Sequence, residues 1–182
     1  RFFDQWVKRP GLPRLEVDLS IGPDEAGGQH VLTVSVEQSQ KIDRFNPAYE
    51  FTLPVLLRFD DGTHRYVHMD IDQRTVVATF SVPGIPSQVS IDPNLTVLAG
   101  TTVRKPLALW INELSGGATL AAQVQAAEAV LALGGASGTL VVESRLLDPA
   151  TDPTLRSCLT DLLDEHHSRV SAVPDQIGRA HV

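Results

Sequence analysis

A single cysteine, Cys158, stands in the 182 residues, so no internal disulfide can form and thiol content leaves the compartment open. Its setting, Leu155-Arg156-Ser157-Cys158-Leu159, suits a helix interior where a thiol packs as a small hydrophobe. No apolar run approaches the roughly 20 residues that cross a bilayer. No targeting motif stands out in these residues, and localisation stays undetermined. Basic residues are the scarcer charge, 15 Lys and Arg against 22 Asp and Glu. The resulting net charge of -7 and pI near 5.2 argue against nonspecific binding to nucleic acid or anionic membrane. Three catalytic signatures are missing as well: G-x-S-x-G, the Lys-Ser/Thr of a P-loop, and H-E-x-x-H. What remains is 42% hydrophobic and 20% charged, an ordinary globular composition long enough for one large domain or two small ones.

Residues 15–98 read as β-structure. Leu15, Val17, Leu19 and Ile21 alternate with polar residues, the period-two mark of a half-buried strand, and Leu32, Val34 and Val36 repeat it. Phe51, Leu53, Val55, Leu57 and Phe59 line one face of a third strand, where Pro54 predicts an edge position or a bulge. Asp61-Gly62 predicts a tight hairpin with both turn residues at positive φ. Val67, Met69 and Ile71 return, Asp72-Gln73 turns the chain, Val76, Ala78, Phe80 and Val82 follow, and Val89 with Ile91 ends the series. Six or seven short antiparallel strands predict an Ig-like β-sandwich over 14–99.

Between Gly100 and Lys105 the period changes to 3.6. Leu107, Trp110, Ile111 and Leu114 form one helical stripe with Pro106 at an early position. Leu120, Val124, Ala127 and Leu131 form a second, closed by Gly134-Gly135. A third helix is predicted over 138–147 with Leu140, Val141, Ser144 and Leu147 on its apolar side. Asp152-Pro153 caps a fourth that carries Leu155, Leu159 and Leu162. The two longer helices start roughly 33 residues apart, at 120 and 153, a spacing compatible with HEAT-like helix pairs over 100–172.

The order of local patterns resembles the aminopeptidase N-type zinc metallopeptidases (gluzincins). Phe2-Phe3-Asp4-Gln5-Trp6-Val7 with Pro10-Gly11-Leu12-Pro13 resembles the end of that family's catalytic domain. Thr33 to Gln40 looks like its TVxQTQ strand, Phe51-Thr52-Leu53-Pro54-Val55 its F-x-x-P strand, and Ile91-Asp92-Pro93-Asn94 the end of its sandwich. Leu107-Ala108-Leu109-Trp110 resembles the opening of the helical domain. The resemblance implies that residues 1–13 are the remnant of an upstream catalytic domain, the partner of this segment in the same chain. It also implies a parent that removes N-terminal residues from peptide substrates using zinc held by H-E-x-x-H and a later Glu. No catalytic, cofactor-binding or metal-binding residue carries over, so the segment alone is expected to be noncatalytic and to bind no zinc. The alternatives are a scaffold of the same architecture without zinc ligands, as in a subunit of the general transcription machinery, and a free-standing sandwich module binding carbohydrate or protein. The opening at Arg1 is read as a cut. Ile177 to Val182, within the tail 173–182, resembles a sequencing-adapter reading frame.

Several clusters suggest sites, and each has a plainer reading. His64 and His68 have the spacing of H-E-x-x-H but lie on a strand, which separates them by roughly 13 Å at about 3.3 Å per residue. His68, Asp70 and Asp72 share one strand face and read as its solvent side. His166-His167 diverge by about 100° on a helix and read as a solvated end. Gly134-Gly135-Ala136-Ser137-Gly138 reads as an interhelical turn and Asp60-Asp61-Gly62-Thr63 as a hairpin. Trp6 and Trp110 are expected to be packing anchors between domains.

Overall fold

A computed structural model describes residues 2–9, 11–23 and 29–171. The tail 173–182, with its adapter-like end, lies outside the described residues. The elements run α1 (Phe2–Trp6), β1 (Arg14–Pro23), β2 (His30–Gln38), β3 (Phe51–Arg58), β4 (His64–Ile71), β5 (Thr75–Val82), β6 (Gln88–Ile91), β7 (Gly100–Arg104), α2 (Leu107–Gly116), α3 (Leu120–Leu133), α4 (Gly135–Leu147) and α5 (Pro153–Ser171).

Alternation sets the pairing of the strands. β1 and β2 run antiparallel with Val17 opposite Val36 and Leu19 opposite Val34, so one face collects Leu15, Val17, Leu19, Leu32, Val34 and Val36. β5 continues it, with Val34 opposite Ala78 and Leu32 opposite Phe80. The first sheet has the order β5-β2-β1-β7 and the second the order β4-β3-β6. Both contribute to one core, Leu15, Val17, Leu32, Val34 and Val36 from the first against Leu53, Val55, Leu57, Val67, Met69 and Ile71 from the second. A register slip of one residue would expose a whole row of these side chains. At about 1.5–3 kcal/mol for each, no alternative register competes.

Three strand expectations are corrected. Pro54 lies in β3, the middle strand of its sheet. Its carbonyl accepts from the Asp92 N–H at 2.8 Å, so the side of Pro54 that lacks a donor faces β6 just past Ile91, where that strand has ended. In the hairpin only Gly62 has positive φ (82°). The Gly62 N–H reaches Phe59 O, and Asp61 accepts from the Thr63 amide and hydroxyl, which holds its carboxyl below the usual range. The set is not wholly antiparallel either. β7 extends the first sheet through Arg104, pairing parallel to β1 with Val17 opposite Val103.

The helices build a second core from Trp110, Leu114, Ala126, Val130, Leu131, Val142, Leu155 and Leu159. Thr119 caps α3 by accepting from the Ala122 N–H, and Asp152 caps α5 by accepting from the Thr154 and Leu155 amides. The expected face of α4 holds only at Val141, which packs against this second core. Leu140, Ser144 and Leu147 are exposed, and Gly138 with Val142 faces the core. The cause is close approach: a Cβ on Gly138 would sit 2.3 Å from Val130 O. Gly138→Ala is therefore expected to cost about 1–3 kcal/mol through overpacking. That corresponds to a melting temperature roughly 2–12 °C lower in thermal unfolding. Gly84→Ala, where a Cβ meets nothing within 4 Å, should melt with the parent. Equal melting of both variants would refute the close packing of α3 on α4.

Candidate functional site

The two cores meet at a buried polar node. Lys105 follows β7 directly, Ser90 lies on β6, and Glu113 with Trp110 on α2. Lys105 and Glu113 form a salt bridge with side chains 1% and 3% exposed. Lys105 Nζ also donates to Val89 O at 2.7 Å and stands 3.8 Å from the centre of the Trp110 ring. Ser90 Oγ donates to the other oxygen of Glu113. Burial pushes the Lys105 ammonium below the usual lysine range, opposed by the charge of Glu113 and its hydrogen bond. The node joins β6, β7 and α2, so it fixes the angle at which the helices leave the sheets.

Beside it lies a groove of about 460 Å³ between the turn after β6 and α3, with Glu113 at its base. Asp92 shapes the turn. Its backbone has φ 42°, and its carboxylate accepts from Thr96 N and Oγ1 and from Val97 N. Thr119 Oγ1 donates to Pro93 O, tying this turn to α3. Leu95, Leu120 and the partly buried Cys158 line the rest.

A second polar clamp lies under the start of β1. Gln38 is fully buried. Its Oε1 accepts from the Tyr49 N–H at 2.8 Å, and its Nε2 donates to Tyr49 O at 2.8 Å and Gln73 O at 3.1 Å. Gln40 Nε2 donates to Gln38 Oε1, and Gln40 Oε1 accepts from the Arg14 N–H. Tyr49 then seats α1. The Trp6 ring lies 5.2 Å from Tyr49 and 6.2 Å from Phe51, while Gln5 exchanges two hydrogen bonds with the Glu50 backbone.

The clusters singled out in the sequence fall elsewhere. His64, His68, Asp70 and Asp72 are all exposed, His64, His68 and Asp70 on the outer face of β4. Asp70 accepts from Thr52 Oγ1 at 2.8 Å, and His68 stacks on Tyr66 at 6.4 Å. His166 and His167 sit on α5 with ring centres 6.2 Å apart and different exposure. Among the described residues, no three His, Cys, Asp or Glu side chains are grouped so as to hold a metal ion. These donors do not fit a zinc site. Neither Lys105–Glu113 nor Gln38 stood out in the sequence, yet both left a trace. Glu113 falls within the buried stripe Leu109, Trp110 and Leu114, and Gln38 extends the inward series Leu32, Val34 and Val36.

Two sheets followed by helices is an arrangement found within a peptidase. The structure in question is the crystal structure of Legionella pneumophila aminopeptidase A in complex with aspartic acid, matched with a TM-score of 0.61 at 12% identity. The match covers 92% of this chain and 22% of that one, so the chain spans about a fifth of that protein's length. At this identity the likeness is one of fold. No protein-family model matches the chain, and no curated protein matches it in sequence.

Proposed function

We propose that this chain is the noncatalytic C-terminal portion of a zinc-dependent aminopeptidase-like protein. In this reading the two-sheet unit is an Ig-like β-sandwich, and the helices open a HEAT-like array. The unit joins an upstream catalytic domain, its partner in the same chain, to the helical domain. The parent holds zinc and cleaves N-terminal residues from peptides. The observation that carries the reading is the fold likeness to an aminopeptidase over 92% of this chain, a share that takes in both sheets and helices. The collinear order of motifs from Phe2 to Trp110 supports it. The buried Lys105–Glu113 pair suits a segment whose task is to hold two units at a fixed angle.

The test is to sequence the source DNA across both ends of the reading frame and to express the whole protein. An upstream H-E-x-x-H with a later Glu, stoichiometric zinc and hydrolysis of aminoacyl-arylamides by the whole protein are expected. The 182-residue chain alone should show neither zinc nor turnover. An upstream domain with those ligands replaced would make the protein a scaffold of the same architecture. Metal-dependent turnover by the chain alone would overturn the noncatalytic assignment.

A further inference from the structure

Among the described residues β5 is an edge strand, with β2 on one side and no strand on the other. Its sequence, Thr75-Val76-Val77-Ala78-Thr79-Phe80-Ser81-Val82, has eight residues without a charge, a glycine or a proline. Edges of this length normally carry a lysine, a proline or a bulge that prevents another strand from pairing. Here the guards are absent from the strand itself.

The backbone shows which groups are open. Arg74 O accepts from Gln38 N and so faces β2, whereas Ser81 O accepts from the Arg65 side chain at 3.4 Å and so faces away. N–H and C=O of one residue in a strand point to the same side, and alternate residues point to opposite sides. Thr75, Val77 and Thr79 share the parity of Ser81 and turn their backbone groups outward. Their side chains lie on the outer face of the sheet, where Val77 is 60% exposed.

Charge identifies the occupant. Arg74 sits at the start of this edge and Arg65 reaches across its end, and neither makes an ion pair among the described residues. A second copy pairing antiparallel through its own β5 would bring Arg74 beside the Arg65 of that copy at both ends, so like charges oppose self-pairing. A foreign strand with carboxylates at its ends meets opposite charges instead. We propose that the β5 edge is a docking site for an extended segment of another polypeptide, uncharged and β-branched in its middle and acidic at both ends. It adds an antiparallel strand beside β5. Seven residue steps from Arg74 to Ser81, at about 3.3 Å each, span roughly 23 Å, which an octapeptide covers.

The probe is a capped, fluorescein-labelled octapeptide of alternating Val and Thr with Asp at both ends, titrated into the 182-residue chain at low salt. Its counterpart carries Lys at both ends. Saturable anisotropy is expected for the Asp peptide, with the Lys peptide at least about tenfold weaker. Amide exchange should slow at Thr75, Val77 and Thr79. Val77→Pro removes one outward donor without touching the ladder to β2 and should weaken binding at least about tenfold. Arg74→Glu, an exposed change just before the strand, leaves Arg65 at the other end, so it should abolish the preference between the two peptides, and it gives the answer should the proline variant fail to fold. Equal affinity for both peptides, or unchanged exchange along β5, would overturn the proposal. So would a concentration-dependent dimer that Val77→Pro abolishes, since the occupant would then be a second copy.

Discussion

Lys105→Met is expected to destabilise the chain by about 3–5 kcal/mol, because it leaves the carboxylate of Glu113 buried without its counter-charge. For a chain of this size that lowers the melting temperature by roughly 6–20 °C. Glu113→Gln should act in the same direction, stranding the ammonium against Val89 O and the Trp110 face. The combined change Lys105→Met with Glu113→Met should recover most of the loss, since a well-packed apolar pair often equals a buried ion pair. Thermal unfolding of the three variants separates the terms. Single variants that melt within 2 °C of the parent on that roughly calibrated scale would show that water enters and compensates the charges. A pH profile adds an independent reading. The folded pKa of Lys105 lies below the unfolded value, so between the two the unfolded chain binds the extra proton. The contribution of Lys105 to stability therefore rises with pH across that alkaline window. The parent should show this rise relative to Lys105→Met.

Gln38→Leu is the second large effect. The side chain satisfies three buried or partly buried backbone groups, the Tyr49 N–H, Tyr49 O and Gln73 O. Leucine fills the volume and satisfies none of them. Each buried orphan costs about 1–3 kcal/mol, so a loss near 3 kcal/mol is expected even with partial relaxation. The fall in melting temperature is then roughly 6–12 °C. Because Tyr49 seats Trp6 and its hydroxyl donates to Gly11 O, intrinsic fluorescence of Trp6 should also shift. Gln40→Leu, whose side chain is partly exposed, should lose much less. Indistinguishable melting of Gln38→Leu and the parent would mean that the clamp contributes nothing net.

The strands were legible wherever burial and period two coincided. β1 to β6 fall where Leu15, Leu32, Leu53, Val67, Val76 and Val89 announce them. β7 escaped because Gly100-Thr101-Thr102-Val103-Arg104 holds one large apolar residue, and its strand character comes from pairing with β1. The face of α4 was misread for the opposite reason. Leu140 and Leu147 are apolar and exposed, while the contact that orients the helix is made by Gly138, which no hydrophobic pattern registers. The polar node was hidden because Lys105, just before Pro106, and Glu113, two turns into α2, look like solvated charges until the fold sets them against Val89 and Ser90 of β6. Hydrogen-bond partners distant in the chain are set by tertiary geometry, which a local pattern does not encode.

The parallel pairing of β7 with β1 also imposes an order of events on folding. Arg104 meets Asp18 and Glu16 across more than eighty residues of intervening chain, so the first sheet lacks its last strand until nearly all of the β-structure has been made. Closing so distant a contact is slow, because the entropy of the long loop is lost before the contact forms. Lys105 is the next residue along. The helices therefore gain their anchor at the moment the sheet is completed, and a chain released before Arg104 has neither the strand nor the lock. During synthesis the sheets wait on their most distant strand, and the docking of the helices waits on the sheets.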